Sequence, residues 1–141
     1  MIKVVYWSGS GNTEEMANAV AEGITQAGKE AQVIDFDSIS PDEVKDDQVI
    51  AFGCPAMGDE VLEESSVEPF IEEYESSASG KTIGLFGSYG WGDGQWMRDW
   101  VERMEDAGAA IAGDEGVIAN EAPDDEAIEA CKALGKALAQ A

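Results

Sequence analysis

The chain is 141 residues long, enough for one domain whose core buries roughly two-thirds of the unfolded surface. Thirty Asp and Glu against eight Lys and Arg give a formal net charge of −22, which repels nucleic-acid phosphates and anionic membrane surfaces and attracts basic protein surfaces. There is no histidine, so the commonest acid–base side chain, the histidine-containing hydrolytic triad and histidine metal ligation are all excluded.

From the N-terminus, Met1-Ile2-Lys3-Val4-Val5 runs into a strand pattern without the layout of a signal peptide. No segment approaches the ~18 consecutive apolar residues of a membrane span, and together these features predict a cytoplasmic protein that does not enter a membrane. Ile2 to Trp7 reads as a strand, with Tyr6 in the core. Thr13 to Ala27 follows as a helix with Met16, Val20 and Ile24 on one face, and Gly28 ends it. Gln32 to Phe36 is a second strand, Ser40-Pro41-Asp42 opens a short helix by capping chemistry, and Gln48 to Cys54 is a third, buried strand. A helix from about Ser66 to Ser77 leads to a fourth strand, Thr82 to Ser88. After a Gly-rich loop comes a helix with Met97, Trp100, Val101 and Met104 at i, i+3, i+4, i+7. The fifth strand is interrupted: Ala109 to Ala112 and Val117 to Ala119 are separated by Gly113-Asp114-Glu115-Gly116, a turn-like insertion. Asp124 to Ala139 closes the chain as a helix with Ile128, Cys131, Leu134 and Leu138 inward. Cys54 and Cys131 lie in different elements without a C-x-x-C spacing and read as reduced, buried thiols.

Strands alternating with helices demand right-handed parallel crossovers and a sheet covered on both faces, a doubly wound α/β fold in three layers formed by one domain over residues 1–141. Ligands of such sheets sit beyond the carboxyl ends of the strands, where strand order reverses. Three strands here end in unusual loops. The first, Ser8-Gly9-Ser10-Gly11-Asn12-Thr13, is by composition a phosphate cradle: glycines let backbone amides converge, neutral side chains add donors and a helix N-terminus follows. A Gly-rich turn with a good N-cap accounts for Gly-Ser-Gly as well. A P-loop lacks its Gly-Lys-Ser/Thr here, and the dinucleotide fingerprint finds Glu14 where its third small residue belongs. A low-molecular-weight phosphatase lacks its cradle cysteine, and Trp7-Ser8 and Cys54-Pro55 stand where a receiver domain carries acids.

The second loop is Pro55-Ala56-Met57-Gly58-Asp59-Glu60, and the third is Ser88-Tyr89-Gly90-Trp91-Gly92-Asp93-Gly94. A tryptophan between two glycines is badly placed for a core and well placed to stack on a flat ligand, although a loop anchor would use it too. Met57 supplies either a soft contact to the other face of such a ligand or ordinary packing. Trp7 either touches the ligand or covers the sheet.

With Ser-Gly-Ser-Gly-Asn-Thr, Cys-Pro-Ala-Met-Gly-Asp-Glu and Phe-Gly-Ser-Tyr-Gly-Trp-Gly-Asp-Gly in this order, the chain resembles the flavodoxins over essentially its whole length, in particular the short-chain clostridial type. Ser10 stands where many members have Thr, and the acidic turn near Asp114 is a local variation. The resemblance implies a five-stranded sheet of order 2-1-3-4-5 and bound FMN. It puts Ser8 to Thr13 on the phosphate, Trp91 on the outer and Met57 on the inner face of the isoalloxazine, Glu60 on flavin N3–H, and a Gly58-Asp59 peptide that turns over on reduction so that the Gly58 carbonyl meets N5–H. It implies an electron carrier, not an enzyme, that shuttles one electron at a time on the semiquinone/hydroquinone couple at low potential. Its partners would be basic surfaces of oxidoreductases, with the carrier a monomer. The rival of the same fold, a flavin-dependent NAD(P)H or quinone reductase, would want added chain for its second pocket.

Overall fold

The computed structural model describes residues 1–141 throughout. Five strand positions form a parallel sheet in the order β2-β1-β3-β4-β5, from β1 (Ile2–Tyr6), β2 (Ala31–Asp35), β3 (Val49–Gly53), β4 (Thr82–Tyr89) and β5 (Ala110–Ile111). A sixth segment, β6 (Val117–Asn120), continues the fifth position along β4. Five helices complete the chain: α1 (Asn12–Gln26), α2 (Pro41–Val44), α3 (Val67–Tyr74), α4 (Gln95–Asp106) and α5 (Asp125–Ala139). The interruption expected in the fifth strand is real. Opposite it, β4 advances only from Ile83 to Phe86 while the other chain runs from Ile111 to Val117, so the surplus residues bulge out as a turn.

Alternation along the central strands decides which face each residue serves. Val5, Phe52 and Leu85 point to one side, where they meet Phe36, Phe70, Tyr74, Trp96 and Trp100 from α2, α3, α4 and their connections. Their neighbours Val4, Ala51 and Phe86 point to the other side, against Met16, Val20 and Ile24 of α1 and Cys131, Leu134 and Leu138 of α5. The helix faces read from the periodicity are therefore those that are buried, with Ile128 and Val101 only half-buried at the margins. Both cysteines are buried and free. Tyr6 departs from its expected place in the core: at the strand end it is half-buried, and its hydroxyl donates to the Glu14 carboxylate at 2.8 Å. That bond holds the phenol above its ordinary pKa, because ionising it would set two anions side by side.

α1 and α5 lie against each other through two glycines in helix interiors. A methyl group at Gly23 would stand 2.1 Å from the Lys132 carbonyl oxygen, and one at Gly135 would stand 2.1 Å from that of Val20. Backbone meets backbone there, and the contact fixes the line along which α1 points its N-terminus. On the opposite face Arg103 of α4 donates two bonds to Glu68 at 2.9 and 2.7 Å and a third to Glu75, tying α4 to α3 and to the short turn after it. No helix is long and apolar enough to cross a membrane.

Because the blocking atoms at Gly135 are backbone and cannot swing aside, Gly135→Ala is expected to cost about 3 kcal/mol or more of unfolding free energy, by urea denaturation. A loss under about 1 kcal/mol would show that the two helices separate freely.

Candidate functional site

The top of β1 carries the first loop. Trp7 extends the strand, its amide donating to the Gly53 carbonyl at 3.0 Å, and the chain then turns through Ser8, whose Oγ accepts from the Gly11 amide at 3.0 Å. α1 begins without a side-chain cap, and its first internal bond runs from the Glu15 amide to the Gly11 carbonyl at 3.0 Å. The amides of Ser8, Gly9, Ser10, Asn12, Thr13 and Glu14 consequently donate to nothing in the chain. Free amides at a helix start attract an anion through both their hydrogens and the helix dipole. The Thr13 side chain takes another path: it is buried, and its hydroxyl shares a 3.1 Å bond with that of Ser88, fastening the cradle to β4.

The second loop leaves β3 under firm control. Cys54 donates its amide to Phe86 at 3.1 Å and accepts at its carbonyl from the Trp96 indole at 3.1 Å, and the Ala56 amide reaches the Ser88 carbonyl at 3.0 Å. Burial pushes the Cys54 thiol up to about 12, which removes it as a nucleophile. Met57 and Val61 exchange amide–carbonyl bonds of 2.9 and 3.0 Å, closing a three-residue tip in which Gly58 has φ 45° and Glu60 has φ 57°. Glu60 reaches across to the third loop, where one carboxylate oxygen accepts from the Gln95 amide at the start of α4 at 3.0 Å. In that third loop Tyr89 packs tilted against Trp96, and Trp91 stands 63% exposed. An aromatic ring so exposed on a Gly-flanked turn presents its face to whatever enters from outside.

Between the loops lies a cleft of about 290 Å³, near the lower end for sites that hold a cofactor. It brings together Gly9, Ser10 and Asn12 of the first loop, Pro55, Ala56 and Met57 of the second, and Ser88, Tyr89 and Gly90 of the third. The other expected residues, Ser8, Gly11, Thr13, Gly58, Asp59, Glu60, Trp91 and Gly92, are outside this lining, although each belongs to one of the three loops. Trp7 both packs against the core over the sheet and lines the cleft. Glu121 lines it as well and was not anticipated. It is held with φ 58° by an amide bond to the Tyr89 carbonyl at 2.7 Å. Its position just past the end of β6, beside the ends of β1, β3 and β4, is the signal that would have found it. No Lys or Arg lines the cleft. A wider depression, of about 640 Å³ between α4 and residues 114–118, contains none of the expected binding residues.

Comparison with known proteins agrees with this geometry. The family model for flavodoxin matches residues 4–134. A flavodoxin from Clostridium beijerinckii is 49% identical over 138 residues, covering 98% of this chain and 99% of its own. One from Megasphaera elsdenii is 48% identical over the full length of both chains, and the solution structure of its two-electron reduced form superposes with a TM-score of 0.91. The structure of a flavodoxin from the domain Archaea is 32% identical, covers 99% of this chain and 96% of its own, and has a TM-score of 0.86. An uncharged cradle of free amides at a parallel-sheet switch point, on a chain alike from end to end to these proteins, places it in the flavodoxin family, FMN-binding electron-transfer proteins rather than enzymes, and in its short-chain type.

Proposed function

We propose that the chain carries one electron at a time on FMN at low potential, as a monomer in the cytoplasm, and that its partners are oxidoreductases with basic surfaces. The observation that carries this reading is the run of free amides around the start of α1, with Gly9, Ser10 and Asn12 lining a cleft that no cation lines. FMN supplies the redox chemistry, and the protein's residues bind it, orient it and set the energy of its charge.

The cradle amides hold the phosphate. Met57 and Trp91 flank the ring from the second and third loops, one softly polarisable and half-buried, the other flat and exposed. Glu60 has one oxygen engaged by Gln95, which leaves the other to accept the ring's imide N–H. No hydrogen bond within the chain engages the Gly58 carbonyl or the Asp59 amide, so that peptide is free to turn while the Met57–Val61 bonds below it hold. Glycine tolerates the positive φ such a turn requires. With FMN bound, the Gly58 carbonyl exposed by that turn would be able to accept a hydrogen bond from the ring edge, worth about 1 kcal/mol, roughly fivefold in an equilibrium.

Negative charge surrounds the site. Glu121 lines the cleft, and Asp59 and Glu60 stand at the tip of the second loop. Each carboxylate ~8 Å from the ring at an effective dielectric near ~40 opposes an added electron by ~1 kcal/mol, or ~45 mV. The same acidity, net −22, steers basic proteins toward the carrier.

Anaerobic dithionite titration of the FMN-loaded protein is expected to proceed in two separable one-electron steps, the second resisted. Single-step bleaching with turnover of NAD(P)H would favour a reductase, and failure to load FMN would overturn the reading. Asn12→Asp places a carboxylate in the cradle, and at ~4 Å from the phosphate with an effective dielectric near ~40 it costs about 2 kcal/mol. FMN fluorescence titration should show at least a tenfold weaker complex, and unchanged affinity would mean the phosphate lies elsewhere. Electron transfer to a basic haem protein such as cytochrome c should slow steeply between low and physiological salt, and a rate indifferent to salt would refute electrostatic steering.

A further inference from the structure

Glu63 is the one carboxylate buried in the fold, 7% exposed, while Glu64 beside it faces solvent. It gathers four consecutive amides. Its side chain accepts from Ser65 at 2.8 Å on one oxygen, and from Ser66 at 2.6 Å and Val67 at 3.2 Å on the other. Its own carbonyl accepts from Glu68 at 2.9 Å, and its amide donates to the Cys54 sulfur at 3.4 Å. Burial alone would raise the pKa of this carboxyl, yet the amides favour its ionised form strongly enough to hold it below the ordinary range.

These bonds join the last residue before the second loop to the first residues of α3 through a single residue, its backbone amide toward Cys54 and its carboxylate and carbonyl toward α3. The loop is thereby suspended between two fixed roots, Cys54 at the end of β3 and Glu63 at the entrance to α3, each bonded to the other. Between them the Ala56 bond, the Met57–Val61 exchange and the Glu60–Gln95 bond restrain the chain, the Gly58–Asp59 peptide is engaged by nothing, and the positive φ values fall at the tip, Gly58 and Glu60. We propose that Glu63 is a positioning residue for the redox function: by fixing the far root of the second loop it confines conformational freedom to the Gly58–Asp59 peptide, and so sets the energy separating the two one-electron steps. The inference rests on the FMN-carrier reading.

A glutamine at this position keeps one acceptor for Ser66 and Val67 but turns an NH2 group toward the Ser65 amide, so Glu63→Gln loosens the root without emptying its space. Asp124→Asn is the matched control: Asp124 caps α5 by accepting from the Ala127 amide at 2.8 Å and touches none of the three loops. Potentiometric titration of the FMN-loaded variants should show the comproportionation constant of Glu63→Gln reduced about tenfold, a narrowing of ~59 mV between the two potentials, while Asp124→Asn lowers the melting temperature and leaves that gap alone. Cys54→Ala removes the sulfur that receives the Glu63 amide and should narrow the gap in the same direction, which keeps the test open if Glu63→Gln does not fold. In the FMN-free protein, amide exchange at Met57 and Val61 should accelerate at least tenfold in Glu63→Gln. A lowered melting temperature with an unchanged gap, an equal change in Asp124→Asn, or faster exchange confined to residues 65–68 would overturn the proposal. A wild-type protein that bleaches in one step would instead sink the carrier reading beneath it.

Discussion

The structure turns on the placement of β1 between β2 and β3. The chain leaving β1 crosses on the face of Val4 and enters α1, whereas the chain leaving β3 crosses on the face of Phe52 and enters α3. Two loops that start side by side must therefore part, and the gap they leave at the carboxyl ends of the strands is a consequence of topology alone. Flavodoxins are the standard example of FMN held at such a gap. What this chain adds is how the gap is kept in shape: α1 is aimed at it by the Gly23–Gly135 backbone contact, and its first turn is stitched to β4 through Thr13 and Ser88.

Charge explains the choice of donors. A protein of net charge −22 that binds an anionic phosphate would ordinarily be expected to place a lysine or arginine beside it, and the cleft has neither. The cations are used elsewhere, Arg103 between Glu68 and Glu75 and Lys3 on Asp47. Amides and a helix dipole, the donors we propose for the phosphate, act through fixed partial charges that leave the site's net charge unaltered. A lysine there would stabilise an added electron, which the surrounding carboxylates oppose. In the proposed carrier, neutral phosphate binding and low potential are thus two sides of one electrostatic arrangement.

Most of the fold was legible because apolar alternation and helical periodicity act locally, and the three loops were legible because glycine, tryptophan and methionine stood where a core would not want them. The missed features share a cause: each depends on a partner distant in sequence. Gly23 and Gly135 read as weak points in two helices until the helices are packed together. Glu63 reads as one more acid among Glu60, Glu64 and Glu68 until α3 supplies its donors. Thr13 shows only its cradle place in the sequence, and its side-chain link to Ser88, 75 residues away, is invisible there. Tyr6 was assigned to the core by strand alternation, but it sits where β1 ends and an acid of α1 lies within reach. The surplus residues between β5 and β6 are visible as Gly113 to Gly116, and so is the resumption of the fifth strand beyond them along β4.

Glu60 shows how the second and third loops act as one. A non-glycine residue at φ 57° is strained by roughly 1 kcal/mol or more, and a charge-assisted bond to a helix-start amide is strong enough to offset that. The bond also completes α4, which has no side-chain cap from its own Gly94. Because Glu60 is latched to α4 while the Gly58–Asp59 peptide beside it is engaged by nothing, the two ends of the same tip have opposite mechanical characters. In the proposed carrier, one end would keep the ring's edge registered to the third loop, and the other would be free to respond to a change of charge on the ring. A rigid tip would give the same binding without the response, and a wholly flexible one would lose the register on which the response depends.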